Sequence, residues 1–305
     1  MQTSWGDLRV CDAHVHFFSH GFFSLLAGQQ QGLTVEAIGQ TLGWQMPPED
    51  AASFGRDWAR ELDRHGVAKA GLIASLPGDE GSVEAAVAAC ADRFWGMFMV
   101  NPLAPGVGEK VADGLRRGHL RVPCLFPAMH RYSLHDHAVT QLLEKLVATP
   151  DPVVFVHCGV LSVGVRKKLG LASPFDLRFS NPIDVHALAL RYPAIRFILP
   201  HFGAGYFREA LMVADMCPNV YLDTSSSNAW VKYEGLTLEG VFRRALQVVG
   251  PKRLLFGTDS SFFPRGWNKA VFDAQEAALR AVGIGAEDAE AIFGGNLERL
   301  MARKA

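Results

Sequence analysis

The 305-residue sequence has almost no excess of charge of either sign, with 30 Lys and Arg residues against 31 Asp and Glu residues and a formal net charge of −1. Its isoelectric point is near 6.8. Proteins that bind nucleic acid or anionic membranes carry a basic surface, and this composition predicts none. The expected partner is therefore a small-molecule substrate, not nucleic acid or a membrane, and a homo-oligomer remains open.

The sequence also lacks a disulfide framework, because its cysteines number only five and lie far apart. An odd count with wide spacing is typical of a reducing compartment. No run approaches the ~18 apolar residues of a membrane span, and no basic segment followed by an apolar stretch opens the chain. These absences predict a soluble cytoplasmic protein.

Nucleotide-binding signatures are missing too, since no strand is followed by Gly-x-Gly-x-x-Gly and no Gly-x-x-x-x-Gly-Lys-Ser/Thr occurs. What the chain does contain is a regular alternation of strand-like and helix-like segments. Strands are predicted at residues 8–11, 68–74, 94–100, 119–126, 153–157, 195–201, 220–224 and 253–259. Helices are predicted between them at residues 83–93, 108–117, 137–148, 182–191, 207–216 and 238–249.

Eight strands alternating with helices predict an α/β fold, a (β/α)8 TIM barrel that spans residues 1–305 as a single domain. An open, doubly wound sheet is the alternative. Residues 17–48, after the first strand, are predicted to be an irregular insertion, which is either a lid or pocket wall or a surface excursion. Extra C-terminal helices are predicted at residues 268–282, 286–293 and 296–302.

The first strand leads into Asp12-Ala13-His14-Val15-His16. Strand alternation places Asp12, His14 and His16 on one face. Side chains two residues apart lie ~7 Å from each other, so two inward-leaning imidazoles reach one metal ion at ~2.0–2.1 Å. An isolated His-x-His is explained equally well by ordinary core or loop histidines, so the rest of the chain has to decide.

Three further residues, His157, His201 and Asp259, each end a later predicted strand. In a parallel barrel the carboxyl ends of all strands open onto the same mouth, so these residues are expected to meet the His-x-His pair. Several imidazoles with one carboxylate suit Zn²⁺ or another transition metal better than Ca²⁺ or Mg²⁺. Taken alone, each histidine could be bonded to the backbone and the aspartate could cap a helix. Because all of them lie at strand ends of one barrel, together they predict a metal-centred site.

Five motifs follow one another along the chain: Asp-Ala-His14-Val-His16, Val-His157-Cys-Gly, Pro-His201-Phe-Gly, Phe-Gly-Thr-Asp259 and Gly294-Gly295-Asn296. In this order they resemble the amidohydrolase superfamily. Within it the chain is most similar to the amidohydrolase-related branch, which includes aminocarboxymuconate semialdehyde decarboxylase. The resemblance runs over almost the whole chain and implies the barrel and the metal site, but no particular substrate.

The resemblance implies that His14, His16, His157 and Asp259 bind one divalent ion. It implies that His201 stays off the ion and polarises the substrate or moves a proton, and that Asp259 also accepts protons. Zinc is the expected ion, with manganese or another transition metal as the alternative.

A second ion, as in two-metal members of the superfamily, would need a bridging carboxylated lysine or glutamate on the fourth or fifth strand. Residues 119–126 contain neither. Arg121 cannot form a carbamate because its guanidinium stays protonated, and Cys124 is better explained as core filler than as a bridge. Asp12 is expected behind the ligands, orienting an imidazole or bonding the backbone.

Zinc lowers the pKa of the water it binds from about 15.7 to about 7. The expected function is therefore metal-dependent hydrolysis of a small ester, lactone or amide, with Asp259 or His201 moving the proton. One alternative is non-oxidative decarboxylation of a small unsaturated or aromatic carboxylic acid. The other is a non-catalytic metal-binding protein.

Substrate contacts are expected in the loops that follow the ligands. Arg265 and Trp267 come shortly after Asp259, so Arg265 is a candidate clamp for a substrate carboxylate and Trp267 a candidate pocket wall. Arg131, in the loop after the fourth strand, is a third candidate. For both arginines the alternative is an ordinary solvated surface residue.

Overall fold

The computed structural model describes residues 1–226, 228–261 and 265–302. Nine short strands within these residues form one parallel sheet that curls into a barrel. The strands β1 to β9 are Val10–His16, Val67–Ala74, Phe94–Val100, Leu120–Leu125, Val153–Val156, Arg196–Leu199, Val220–Asp223, Leu254–Leu255 and Ser260–Ser261. A two-stranded hairpin of Gln2–Thr3 and Gly6–Asp7 precedes them.

Helices surround the barrel and also occupy several of its loops. Helices α1 to α14 are His20–Ala27, Val35–Leu42, Ala51–His65, Glu80–Ala89, Val107–Arg117, Pro127–His130, His137–Val147, Gly164–Lys168, Ile183–Arg191, Phe207–Met216, Leu238–Val248, Lys269–Val282, Ala286–Glu290 and Asn296–Met301. No helix in the described part of the chain has the length and apolar character needed to cross a bilayer.

The two ends of the sheet come from one stretch of chain. Strand β8 pairs with β7 and strand β9 pairs with β1, so residues 254–261 contribute both edges. Backbone bonds join these edges where Ala13 N donates to Phe256 O at 2.8 Å and Asp259 N donates to His14 O at 3.0 Å. The structure therefore confirms the TIM barrel, with an eighth strand position that is divided in two.

The prediction of one continuous strand at residues 253–259 is wrong in this detail, and the backbone shows why. Asp259 has a φ of 56°, which no strand residue adopts, so the chain turns sharply before β9 begins. Gly257 lies against other strand ends, because a Cβ there would be 2.8 Å from Asp223 Oδ1. The break lets the segment bond to β1 and β7 at once.

The insertion after β1 is not irregular as predicted, because it contains helices α1 and α2. Local capping explains both: Ser19 accepts from Phe22 N at the start of α1, and Thr34 accepts from Ala37 N at the start of α2. Gly43 ends α2 with a φ of 65°. With eight residues each, these helices are too short to show a long apolar periodicity in the sequence.

The barrel has two apolar layers. A large cluster fills the space between the strands and the outer helices. A smaller cluster fills the barrel interior, where Met97, Cys124 and Phe155 are fully buried. Helix α14 adds Leu297, Leu300 and Met301 to this interior cluster. Since the interior is packed with side chains, chemistry is confined to the carboxyl ends of the strands.

Candidate metal and active site

Three potential ligand atoms converge where β1 meets the turn between β8 and β9. Nε2 of His16 lies 3.1 Å from Oδ1 of Asp259, and Nε2 of His14 lies 3.7 Å from the same oxygen. One ligand atom from each residue lies within 4.8 Å of the other two. A single ion bound at about 2.0–2.2 Å from each atom spans such a spacing.

A buried carboxylate orients the ring of His14. Asp223, the last residue of β7, has its Oδ2 atom 2.8 Å from His14 Nδ1, and both side chains are fully buried. Because a carboxylate only accepts, His14 donates from Nδ1 and carries its lone pair on Nε2. That Nε2 has no hydrogen-bond partner among the described residues. Burial lowers the pKa of His14, but the charge and hydrogen bond of Asp223 together with the charges of Asp259 and Asp12 outweigh burial and raise it.

His16 is oriented in the same sense by Ser75, which follows β2. The Ser75 hydroxyl donates to Ile73 O at 3.1 Å and therefore accepts from His16 Nδ1 at 2.7 Å. The lone pair of His16 consequently lies on Nε2, facing Asp259. Two nitrogen lone pairs and a carboxylate oxygen this close repel one another unless a metal ion or a proton lies between them. This donor set therefore fits a divalent metal ion.

Two more histidines complete the rim. The ring of His201 lies 4.9 Å from that of His14 and 5.3 Å from that of His157, measured between centroids. Nδ1 of His157 is buried and has no partner in the described residues. Burial lowers the pKa of His157 well below its usual value, which keeps the imidazole neutral. The structure thus gathers three predicted ligands, His14, His16 and Asp259, in one group and places the fourth, His157, next to His201.

The two predicted proton carriers share an uncommon backbone. His201 and Asp259 both have a φ of 56°, a left-handed conformation that costs about 1–3 kcal/mol outside glycine. Burial pushes the pKa of Asp259 upward, but the neighbouring His16, His201 and His14 outweigh it and lower the pKa. Asp259 is therefore an anion at neutral pH. Strain of this kind persists where the surrounding structure requires the side chain in one place.

Asp12 lies behind the ligands, as expected, and bonds the backbone across the barrel closure. It accepts from the N–H groups of His14 at 2.9 Å and Thr258 at 3.1 Å, and from Nε1 of Trp267 at 2.8 Å. Burial raises the pKa of Asp12 to about 6 despite these bonds. The prediction of Trp267 as a pocket wall is wrong, because its indole is 2% exposed and points to Asp12.

A cavity of about 900 Å³ opens above the rim, with His16, His157, His201 and Asp259 among its lining residues. One wall comes from the insertion and includes Phe18, Phe22, Leu26 and Trp44. These side chains belong to an apolar cluster that also contains Val163, Val165, Leu169 and Leu171. We call residues 18–46 and 163–171 together the cap. Of the two alternatives for the insertion, the structure supports the pocket wall.

The remaining cavity wall is rich in positive charge. Both predicted arginines are exposed: Arg265 is among the lining residues, whereas Arg131, at the end of α6, is not. The other cationic lining side chains are those of Arg166, Lys168 and Lys232, and the acidic one is Asp259. Within the described chain, none of these four cations forms an ion pair with a carboxylate.

Among the described residues, clustered metal-binding side chains occur in the group of His14, His16 and Asp259 and in no second group. Cys124 is fully buried and its thiol donates to Val122 O at 3.6 Å, as expected of core filler. Arg121 bonds the carbonyl oxygens of Asp151 and Met301, away from the rim.

Residues 11–302 match the family described as amidohydrolase, so the chain belongs to the amidohydrolase family. It is 31% identical over 157 residues to protein FluG of Emericella nidulans, a match that covers 49% of this chain and 17% of that protein. The chain therefore spans only a small part of this curated relative.

Solved structures with a similar fold include 5-carboxyvanillate decarboxylase of Novosphingobium aromaticivorans with bound manganese, at 17% identity and a TM-score of 0.64 over 99% of each chain. They also include an amidohydrolase of Burkholderia multivorans with bound zinc, at 19% identity and a TM-score of 0.62 over 97% of this chain and 100% of that one. At these identities the likeness establishes the TIM-barrel fold.

Sequence reasoning missed the residues that hold the histidines, namely Asp223, Ser75 and Ser225. The sequence offers a signal for Asp223 and Ser225. Asp223 and Ser225 alternate at the end of the predicted strand 220–224, as His14 and His16 do at the end of the first strand. Ser75 follows the second predicted strand directly. Small polar residues at strand ends are common, however, and their partners become visible only in the folded barrel.

Proposed function

We propose that this protein is a hydrolase that uses one divalent ion, zinc or alternatively manganese, to cleave a small ester, lactone or amide. The observation that carries the proposal is the convergence of two fixed Nε2 lone pairs and the Asp259 carboxylate at the floor of a cavity. When bound, the ion supplies a Lewis acid and activates water.

His14, His16 and Asp259 hold the ion in this proposal, and the neutral His157 supplies a fourth donor. His201 lines the cavity and lies against His14, so it is placed to accept the proton that the attacking water loses and to return it to the leaving group. Asp259, ionised at neutral pH, assists by accepting a proton or a hydrogen bond. A proton carrier and an electrophilic centre on one cavity floor are the requirements of acyl-group hydrolysis.

The cationic wall defines the substrate class within this proposal. Four lining cations without carboxylate partners stand against the single lining acid, Asp259. An aromatic and apolar cap faces them. Such a cavity favours a substrate with an apolar or unsaturated body and a carboxylate.

The same wall makes decarboxylation the second candidate. A decarboxylase has to hold the reacting carboxylate firmly, and Arg265 offers a planar guanidinium without a described ion-pair partner at the cavity wall. A solved structure of similar fold is a 5-carboxyvanillate decarboxylase with manganese bound. We place hydrolysis ahead because it requires only a ligand group and a proton carrier and does not depend on Arg265.

The deciding experiment is a parallel screen of protein purified without chelator and assayed for its metal content. Carboxylate-bearing esters, lactones and amides are tested beside aromatic and unsaturated carboxylic acids, with acid release and CO₂ followed together. We expect about one equivalent of metal and metal-dependent acid release without CO₂. Release of CO₂ that requires His201 and Asp259, with no hydrolysis of any substrate, would establish the second candidate instead.

A further inference from the structure

Beneath the rim histidines lies a buried pair, Asp223 and Ser225, which the proposed reaction does not use directly. Asp223 ends β7, and Ser225 follows two residues later, so both side chains point the same way. Both are 0% exposed. A carboxylate and a hydroxyl so deeply buried are costly unless their lone pairs and proton are all engaged. Their hydrogen-bond partners therefore show what the pair does.

Asp223 accepts three hydrogen bonds in a fixed arrangement. Its Oδ1 accepts from the backbone N–H of Ser225 at 2.7 Å. Its Oδ2 accepts from the Ser225 hydroxyl at 3.0 Å and from His14 Nδ1 at 2.8 Å. The carboxylate thus holds the ligand imidazole and the hydroxyl at once.

Ser225 extends this arrangement to His201. Its hydroxyl has one proton, which goes to Asp223, so it accepts from His201 Nδ1 at 3.0 Å and from His14 Nδ1, also at 3.0 Å. The carbonyl oxygen of Ser225, which can only accept, lies 3.0 Å from His201 Nδ1. Both contacts of Ser225 with His201 require His201 to donate from Nδ1. The lone pair of His201 is consequently on Nε2, on the side of the ring away from Ser225.

The pair is sealed from above by the last strand segment. A Cβ at Gly257 would lie 2.8 Å from Asp223 Oδ1, 2.9 Å from Ser225 Cβ and 3.2 Å from His14 Cβ. Only glycine lets the backbone pass this close. Hydrogen bonds shielded from water in this way are stronger and less mobile than exposed ones.

We propose that Asp223 and Ser225 are positioning residues that lock His14 and His201 as one unit, with Nδ1 of each ring donating and Nε2 of each ring left as the acceptor. The ion-binding imidazole and the proton-carrying imidazole share one carboxylate, directly for His14 and through Ser225 for His201. The part concerning His201 rests on the proposed function; the part concerning ring orientation does not.

Asp223→Asn tests the lock on His14. Oδ1 must remain an acceptor for Ser225 N–H, so the new amide nitrogen faces His14 Nδ1 and turns it into an acceptor. In ¹⁵N NMR of the metal-free protein we expect His14 to change from the Nδ1–H to the Nε2–H form. Zinc affinity, measured by competition with a chelator, is expected to fall about 10- to 100-fold. An unchanged His14 tautomer would overturn this half of the proposal, whatever reaction the enzyme catalyses.

Ser225→Ala tests the link to His201, with Thr224→Ala as the matched control. Thr224 is also fully buried, but its hydroxyl donates to Gln275 Oε1 at 2.6 Å, not to a histidine partner. For Ser225→Ala we expect kcat to fall about 10- to 100-fold with KM and metal content nearly unchanged. Thr224→Ala should lower Tm comparably while kcat stays within about 3-fold. Equal losses of kcat in the two variants would show a merely structural role for Ser225.

Failure of this proposal and failure of the proposed hydrolysis are distinguishable. The NMR and zinc measurements on Asp223→Asn need no substrate, so they decide the lock on His14 even if the enzyme proves to be a decarboxylase. The kinetic comparison of Ser225→Ala with Thr224→Ala uses whichever substrate the screen identifies.

Discussion

The floor of the cavity and its cap are held in place by different forces. On the floor, His14 and His16 each have a short hydrogen bond to a fixed partner, at 2.8 Å and 2.7 Å. In the cap, aromatic packing dominates, as in the stacked rings of Phe18 and Phe22 at 4.3 Å. Directional bonds fix atoms to within tenths of an ångström, whereas apolar packing tolerates exchange of side chains. The floor is suited to define the chemistry and the cap to select the substrate.

Two contacts tie the cap to the barrel below it. Phe18 stacks on His16 with centroids 5.4 Å apart. Ser19, which caps α1, donates to both carboxylate oxygens of Asp79 at 2.8 Å. Changes in the cap should therefore leave the metal site intact, and changes on the floor should leave the cap folded. Four measurements test this separation.

The largest effect is expected on the floor, from the double variant His14→Ala/His16→Ala. Loss of two imidazoles leaves too few donors for a catalytic metal site. Metal content should fall from about one equivalent to near zero and activity by at least about 10³-fold. His119→Ala, before β4 at the opposite end of the barrel, is the control. Metal retained by the double variant would refute the ligand assignment.

His201→Ala should separate catalysis from metal binding. We expect kcat to fall about 10²- to 10⁴-fold because a proton carrier is lost, while elemental analysis still finds about one equivalent of metal. Loss of the ion together with activity would make His201 a ligand.

Trp44→Ala should affect recognition alone. Trp44 lines the cavity from the cap, so its loss removes apolar contact with the substrate. We expect KM to rise about 10-fold with kcat within about 3-fold and metal content unchanged. Trp95→Ala, on β3 and outside this cavity, is the matched control. A fall in kcat equal to that of His201→Ala would show that the cap shapes the reacting centre.

The smallest effect concerns the tie between Ser19 of the cap and Asp79 in the loop after β2. Burial raises the pKa of Asp79 to about 6 although Ser82 and Ser19 donate to it. The folded protein therefore holds this proton more tightly than the unfolded chain does, so the stabilisation present below pH ~4 is lost as the pH rises through ~6. Against Asp79→Asn, wild type should lose on the order of 1–3 kcal/mol of unfolding free energy over that range, measured by urea denaturation. A pH-independent difference would contradict the assignment.

The barrel and the meeting of His14, His16 and Asp259 were predictable because they follow from periodicity. Apolar strands ending in His157, His201 and Asp259 require only that parallel strands share one mouth. The partners of these residues were not predictable, since Asp223 and Ser75 are ordinary polar residues until the fold brings them to an imidazole. The prediction for Trp267 was wrong for the same reason. Its position after Asp259 suggested the cavity, but its indole N–H donates to the buried carboxylate of Asp12.

The divided eighth strand has a consequence for assembly of the protein during synthesis. His14 and His16 lie on the first barrel strand to leave the ribosome, and Asp259 lies where the last segment joins it. In the proposed function, an ion shared by these residues would link the two ends of the barrel, and it would bind fully only after residue 259 has been made. At 100 times its dissociation constant such an ion adds about 2.7 kcal/mol to the closed form. A chelator should accordingly speed amide hydrogen exchange at the closure of the barrel before it does so anywhere else.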